Sequence, residues 1–540
     1  MPRRICILFF LFALCVGLLG LRLLRIPLAR PAQSAHSGAS VTVDRSRGAI
    51  YDRDGRRLVQ ADRLAYVAAK PTPAASLALR GALSQARWLA VEERMARGSL
   101  VALPVEGPVP PCEDLQLLDI YPRYGARQRA AHVIGYLDGQ SGAGVSGIER
   151  AFDNLLSRAA GQISVRMAAD VDGRGLAGAA LEILDENYRS EAGVRLTLDA
   201  RVQAIVEETM ELGGVEQGAA VVMDCATGEI LALASAPAFD PGDLAPSLHD
   251  PREPFFNRAL GAYPVGSIFK CFIAAAALEQ RIPASTRFTC EGELDVGGQV
   301  FRCGNGQTHG SLDMPQALAQ SCNLYFIQLG QRLLQQPLLD LMRLFGFGEP
   351  AELARGIVCA GGNLPAPGEL ALPGELANFA FGQGKLLGAP LQICAATACL
   401  ANGGVYHSPT LVQATMDENG AATPWFQDTE TRQVISPEIA AQLRAMMALT
   451  VEEGTGRSAR PETGGAGGKT ATAQTGRYGP GGAEILQTGF TGFFPAENPR
   501  YAVTVFRQNG ISGASDCGPV FKRIADAMSA QGINTNAPSP

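Results

Sequence analysis

Three stretches of this 540-residue chain place hydroxyls and amines at spacings that could do acyl chemistry. In "GAYPVGSIFKCFIAAAALEQ" (261–280), Ser267 and Lys270 stand three residues apart at the head of an apolar run, behind Pro264 and Gly266. Residues i and i+3 share a helix face, so the two side chains can meet in one pocket. A neutral amine there can take the hydroxyl proton and make the serine a nucleophile. Free lysine titrates near 10.4, and bringing it to about 7–8 takes roughly 3–4 kcal/mol of bias from burial or a second cation. The Pro and Gly before Ser267 predict that it opens a helix, where free N–H groups favour a developing oxyanion.

Alone, S-x-x-K carries little, because a serine cap followed by a lysine occurs in many helices. Two further stretches change its weight. "AQSCNLYFIQLG" gives Ser321, Cys322 and Asn323, a polar S-x-N at the head of an apolar helix, and "GGKTATAQ" gives Lys469, Thr470, Ala471 and Thr472 on a predicted strand. The order and separation of the three sets resemble the penicillin-recognising serine acyltransferases, with their S-x-x-K, S-D-N and K-T-G motifs.

The likeness extends beyond the motifs. "RGAIYDRDGRRLV" (47–59) and "HVIGYLDGQSGAGVSGIERAFDNLL" (132–156) are similar to the N-terminal pedestal, or dimerisation, module of class B penicillin-binding proteins. "NRALGAYPVGSIFK", "FAFGQGKLLGAPLQICAATACLANGG", "VEEGTG" and "TGFTGFFPAENPRYAVTV" resemble successive parts of their transpeptidase domain, so the resemblance covers most of residues 40–525. It implies a D,D-transpeptidase that cross-links peptidoglycan stem peptides through a serine acyl-enzyme and is inhibited by β-lactams. Carried over residue by residue, Ser267 would be the nucleophile and Lys270 its base. Ser321 would relay the proton to the leaving amine, and Asn323 would hold the donor amide and orient Lys270. Lys469, Thr470 and Thr472 would bind the substrate carboxylate, and the N–H groups of Ser267 and Thr472 would form the oxyanion hole. The resemblance also implies a glycan-polymerising membrane partner and no cofactor.

One position departs from the family pattern: Ala471 stands where the third motif has glycine. A methyl on a strand that approaches substrate closely is expected to narrow the cleft or alter β-lactam affinity. Two other readings use the same residues: a D,D-carboxypeptidase or β-lactamase, and an inactive envelope scaffold or β-lactam sensor. Glu375 and Asn378 in "GELANFAFGQG" look superficially like a water-activating loop, but the spacing departs from E-x-x-L-N and a helix cap is the plainer explanation.

The elements around these motifs read as α+β. Before them, "VRLTLDARVQAIVEETMEL" predicts a strand, Asp199 as N-cap and a helix, with a domain boundary near residue 190. "AAVVMDCATGEILALAS" predicts a hairpin, and three strands near the C-terminus precede a helix from about Pro519 to Ala530. Strands at both ends with helices between them describe one antiparallel sheet flanked by helices, similar to serine β-lactamases. The expected division is a cytoplasmic N-terminus and transmembrane anchor over 1–30, a β-rich pedestal over 40–189, the transpeptidase domain over 190–530 and a tail over 531–540.

The anchor rests on the apolar run from Ile5 to Leu21, long enough to span with arginines snorkelling at its far end. Arg3 and Arg4 set the N-terminus inside and the rest of the chain outside the membrane; a cleaved signal peptide is the competing reading. A net charge of −6 with no Lys/Arg block argues against a nucleic-acid partner. The chain has twelve cysteines but no C-x-x-C, and its five histidines are scattered, so no metal is expected. Cys290, Cys303 and Cys322 are expected to converge beside the cleft, as a Cys290–Cys303 bridge, a Cys303–Cys322 bridge or three free thiols; spacing does not choose among them.

Overall fold

The computed structural model describes residues 12–17, 19, 38–105, 107–169, 179–425, 429–479 and 481–533. Most of the expected membrane anchor lies outside them. Residues 12–17 and 19 are helical, and no helix among the described residues is long and apolar enough to cross a membrane. The expected tail likewise falls outside the described residues beyond 533.

Two compact units are present, each discontinuous in sequence. One is drawn from Met1–Ser46, Arg63–Pro122 and Gly161–Tyr188, the other from Arg47–Asp62, Arg123–Ala160 and Arg189–Pro540. This division is not the single boundary near residue 190 read from the sequence. Arg47–Asp62 and Arg123–Ala160 belong with the C-terminal segment because Ile50, Val59, Ile148, Phe152 and Leu156 sit in the same apolar core as Val194 and Leu196. Strand Ala49–Tyr51 also pairs in parallel with Gly193–Leu196.

The first unit carries two three-stranded antiparallel sheets. Gly161–Ala168 is central between Gly38–Ser46 and Leu181–Glu186, and Leu64–Ala69 is central between Val101–Pro104 and Leu115–Ile120. Helix Pro73–Ala82, capped by the Thr72 hydroxyl, and helix Gln85–Ala96 bury Leu79, Trp88 and Met95 with Val67 and Val101.

The second unit is built on a five-stranded antiparallel sheet whose order runs Ile230–Ala236, Gly218–Asp224, Tyr501–Gly510, Glu484–Phe494, Gly467–Tyr478. Both ends of the segment thus supply one sheet. Alternation in strand Gly218–Asp224 divides two cores: Ala219, Val221 and Met223 face one, Ala220 and Val222 the other. Helices Ala200–Leu212 and Gly518–Ala530 cover the second face with Val202, Val206, Phe521 and Ile524. Asp199 caps the first of these, accepting from the Arg201 and Val202 N–H groups.

The other face receives helices Lys270–Glu279, Asn323–Gly330 and Pro390–Ala401. Between Lys270 and Glu279 the first of these is apolar all round, the pattern of a helix enclosed by protein. That enclosure carries Lys270 out of water.

Candidate active site

Ser267 lies in the 3-10 turn Gly266–Phe269, which runs directly into helix Lys270–Glu279. The turn is held from below by glycines. Gly266 has φ +64°, and its N–H donates to Gly382 O at 2.9 Å. A Cβ on Gly382 would sit 1.9 Å from Gly266 O, so only glycine permits this approach.

Lys270 is fully buried, and its Nζ is the centre of the site. It lies 3.1 Å from Ser267 Oγ, 2.6 Å from Asn323 Oδ1, 2.7 Å from Ser321 O and 3.3 Å from Ser321 Oγ. Lys469, also fully buried, donates to Ser321 Oγ at 2.9 Å and to Thr470 O at 3.0 Å. Five side chains expected from three distant motifs are therefore joined in one hydrogen-bond network, through Lys270 and Ser321. Helix Asn323–Gly330 presents Asn323, and strand Gly467–Tyr478 presents Lys469. Ser321 has φ +56°, a backbone region that side-chain-bearing residues seldom enter, and its C=O accepts from Lys270 Nζ.

Burial first, and then the positive charge of Lys469, hold the Lys270 amine well below its ordinary value. Burial alone lowers Lys469 to about 8. A neutral Lys270 has two hydrogens and one lone pair. The hydrogens match its two shortest contacts, Asn323 Oδ1 and Ser321 O, which leaves the lone pair for the Ser267 hydroxyl. The arrangement can deprotonate Ser267 without a histidine.

The remaining expected residues lie along the same strand. Thr470 Oγ1 is 3.3 Å from Lys469 Nζ, and Thr472, exposed, accepts the Gly513 N–H at 3.2 Å. Ala471 does not face the cleft. Its side chain is 4% exposed and belongs to the core, against Gly266 and Gly489: a Cβ on Gly266 would lie 3.3 Å from the Ala471 methyl and one on Gly489 3.8 Å from it. The methyl that was expected to narrow the cleft is packed in the core. Glu375 and Asn378 lie on helix Pro373–Ala380, and the Lys270 contacts involve neither.

Residues 218–526, more than half of the chain, match the family model described as the penicillin binding protein transpeptidase domain. The chain belongs to that family. Stage V sporulation protein D of Bacillus subtilis is 32% identical over 391 residues, covering 70% of this chain and 58% of that protein. The peptidoglycan D,D-transpeptidase MrdA of Haemophilus influenzae is 28% identical, covering 72% of this chain and 63% of its own. The chain thus spans about three fifths of the length of these curated relatives. The fold is shared with the D,D-transpeptidase domain of a peptidoglycan glycosyltransferase from Eggerthella lenta, at TM-score 0.66 and 24% identity over 90% of this chain and 99% of that one. It is also shared with penicillin-binding protein 3 of Mycobacterium tuberculosis complexed with aztreonam, at TM-score 0.64 and 24% identity over 92% and 98%.

Two features of this penicillin-binding transpeptidase domain go beyond the sequence reading, which expected the three cysteines to converge but placed neither Thr455 nor His309 with the site. Thr455, inside "VEEGTG", ties the site together: its Oγ1 is 3.1 Å from Thr470 Oγ1 and its N–H donates to Ala319 O at 2.9 Å. The second is a cluster of soft ligands. Cys290, Cys303, His309 and Cys322 bring their ligand atoms within 4.8 Å of one another, against the expectation of no metal-ligand grouping. The three cysteines are free thiols, so neither expected bridge is formed.

Proposed function

We propose that the protein is a serine-type peptidoglycan D,D-transpeptidase. The observation that carries this reading is the fully buried Lys270 amine, depressed by burial and by Lys469, at 3.1 Å from Ser267 Oγ. Lys270 accepts the Ser267 proton as Oγ attacks the carbonyl carbon of the penultimate D-Ala of a stem peptide. The oxyanion meets the N–H groups of Ser267 and Thr472. As the tetrahedral intermediate collapses, Ser321, hydrogen-bonded to both lysines, passes a proton to the leaving amine, and the terminal D-Ala departs. An amine of a neighbouring strand then attacks the acyl-enzyme. A β-lactam acylates Ser267 in the same way, but its opened ring stays attached. Lys469, Thr470 and Thr472 bind the carboxylate common to both ligands, and Asn323 positions the donor amide. A relative named as a peptidoglycan D,D-transpeptidase and a structural neighbour complexed with aztreonam support this reading.

The same proposal includes a single-pass anchor over residues 1–30, based on the apolar run from Ile5 to Leu21, with the catalytic unit on the outer side of the cell membrane. Residues 40–189 serve as a pedestal that docks a glycan-polymerising membrane partner, residues 190–530 as the transpeptidase part and 531–540 as a tail; resemblance to the class B module supports the first of these.

Fluorescent penicillin tests the chemistry. Ser267→Ala should abolish covalent labelling, and Lys270→Ala should slow it by about two to four orders of magnitude, the range of general-base catalysis. Labelling of Ser267→Ala at the wild-type rate would refute the assignment, and rapid release of the label from the wild type would mark a hydrolase instead.

A further inference from the structure

The acyl chemistry leaves one group of reactive side chains in the second unit unused. Cys290 ends strand Phe288–Cys290, and Cys303 follows the hairpin of Glu293–Val296 with Gln299–Arg302. His309 precedes strand Gly310–Leu312, and Cys322 is the N-cap of helix Asn323–Gly330. The three thiols are at most 2% exposed, and His309 is half-buried. Cys290 Sγ lies 3.4 Å and Cys303 Sγ 3.5 Å from His309 Nδ1, while Cys303 Sγ and Cys322 Sγ are 3.8 Å apart.

These separations can be compared with those around a tetrahedral zinc ion. With Zn–S near 2.3 Å and Zn–N near 2.0–2.1 Å, tetrahedral angles put two sulfurs about 3.8 Å apart and a sulfur and nitrogen about 3.5 Å apart. These three separations match donors sharing one centre, and all four ligand atoms lie within 4.8 Å of one another. A disulfide needs about 2.05 Å and would engage only two of the sulfurs. Buried thiols acting as small hydrophobes pack against carbon, which gives no account of one imidazole nitrogen facing two of them. The backbone supports the cluster: the Tyr325 N–H donates to Cys322 Sγ at 3.4 Å, the Cys303 N–H to Gly292 O at 2.9 Å, and the His309 N–H to Cys290 O at 3.3 Å.

We infer that Cys290, Cys303, His309 and Cys322 bind one Zn²⁺ in a closed Cys₃His site that fixes the Ser321-Cys322-Asn323 turn. Four protein ligands leave no open position, so the ion is structural. Its binding releases the thiol protons to solvent and involves no change of oxidation state. Cys322 sits between the two residues that contact Lys270, and Ser321 beside it holds the seldom-occupied backbone conformation that turns its C=O to that amine. A metal bond at Cys322 anchors this conformation to the hairpin and to strand Phe288–Cys290. Cys322 acts through its neighbours and is a positioning residue.

The full-length chain, purified in detergent without chelator or thiol reagent, should carry one zinc per chain by elemental analysis. After stripping at mild acid with a chelator, Co²⁺ should refill the site and give a thiolate-to-cobalt charge-transfer band with intense tetrahedral d–d absorption. Cys303→Ser and His309→Ala should each weaken metal retention by about tenfold or more, whereas Cys112→Ser, in the other unit, should keep it. Metal-free protein that takes up no Co²⁺ would overturn the site, as would a Cys290–Cys303 or Cys303–Cys322 disulfide in non-reducing peptide maps. For the positioning role, stripping should slow penicillin acylation about tenfold or more, with recovery on adding Zn²⁺, and acylation of Ser267 should shift the Co²⁺ bands. A metal-loaded protein whose acylation rate ignores stripping and whose Co²⁺ bands ignore acylation would overturn that role. Metal content and the cobalt spectrum are read whether or not the chain cross-links peptidoglycan, so failure of the transpeptidase reading is distinguishable.

Discussion

Lys469 donates to Ser321 Oγ at 2.9 Å, and Lys270 reaches the same oxygen at 3.3 Å, so one hydroxyl separates two buried amines. The two cannot both carry a proton cheaply, since like charges in a dry site disfavour each other's ionised form. Burial lowers both, and the charge of Lys469 lowers Lys270 further.

The sign of the resulting pH dependence follows. Lys270 works as a base only when neutral, so acylation rises with pH through its lowered value. Lys469 assists only while charged, so acylation falls again above about 8. Lys469→Met removes the neighbouring cation and lets the Lys270 value climb, moving the acidic limb to higher pH. Each unit of that movement lowers the rate on the limb about tenfold. Penicillin acylation rates measured across pH in wild type and variant check this; an acidic limb that stays in place would show that Lys469 does not tune Lys270.

Ala471→Gly should leave acylation unchanged, because the methyl packs against Gly266 and Gly489 and not in the cleft. It should lower stability by about 1 kcal/mol, from the lost methyl burial and the added freedom of glycine in a strand. Ala471→Val pushes two more methyl-sized groups toward the turn that carries Ser267, at a cost of about 1–3 kcal/mol. Acylation should then fall. Urea melts paired with labelling rates separate the two effects, and faster acylation in Ala471→Gly would restore the idea of a narrowed cleft.

The motifs and their elements were legible because each is local. Asp199 caps its helix, the 218–236 hairpin follows its alternation, Ser267 and Lys469 each sit near the start of an element, and Ser321 lies in the turn just before one. Their meeting came from resemblance, not from spacing. Which way Ala471 points was not legible, since it depends on the strand's register against Gly489 and on Gly266 beneath it. The metal-type cluster was legible only in part, since the three cysteines were expected to converge but His309 was not placed with them. Its ligands are separated by 12, 5 and 12 residues, and only the pairing of Cys290 with Gly310 and the closing of the intervening hairpin bring them together. Motif order along the chain also says nothing about which early segments insert into a later core, as 47–62 and 123–160 do.

That insertion has a direct consequence. A fragment beginning at residue 190 lacks strand Ala49–Tyr51, the partner of Gly193–Leu196, and the buried side chains of Ile50, Ile148, Phe152 and Leu156. Each large apolar side chain withheld from a core forfeits roughly 1.5–3 kcal/mol, and domains are stable by only about 5–15. The fragment should therefore fail to give a cooperative urea transition and should not label with penicillin. A fragment that melts cooperatively and labels at the wild-type rate would show that 47–62 and 123–160 are dispensable to this core.

The ion cluster in those same segments is the more incisive probe, since it can be broken without shortening the chain. Glu149 is fully buried and accepts from Arg47 Nε at 3.1 Å, Arg123 Nε at 2.7 Å and the Tyr124 hydroxyl at 3.2 Å. Arg47 reaches onward to Gly142 O at 2.9 Å and Asp153, and Arg123 to Gly48 O at 2.7 Å. Glu149 thus pairs with two guanidiniums that are largely withdrawn from water, and the half-exposed Asp153 is a second partner for Arg47 alone. Glu149→Gln keeps the shape but removes the charge, leaving the buried cations undercompensated, a change that typically destabilises by about 3–5 kcal/mol. Glu93→Gln, which breaks an exposed pair with Arg97 in the other unit, should change stability little. The measurement is the urea midpoint of each variant, with penicillin labelling at low urea as the readout of an intact Ser267 site. Glu149→Gln should lose its midpoint while still labelling at the wild-type rate before the transition, because no member of the cluster touches Lys270 or Ser267. A midpoint equal to that of Glu93→Gln would mean that the two arginines find other partners, and the cluster would then have no part in joining the early segments to the core.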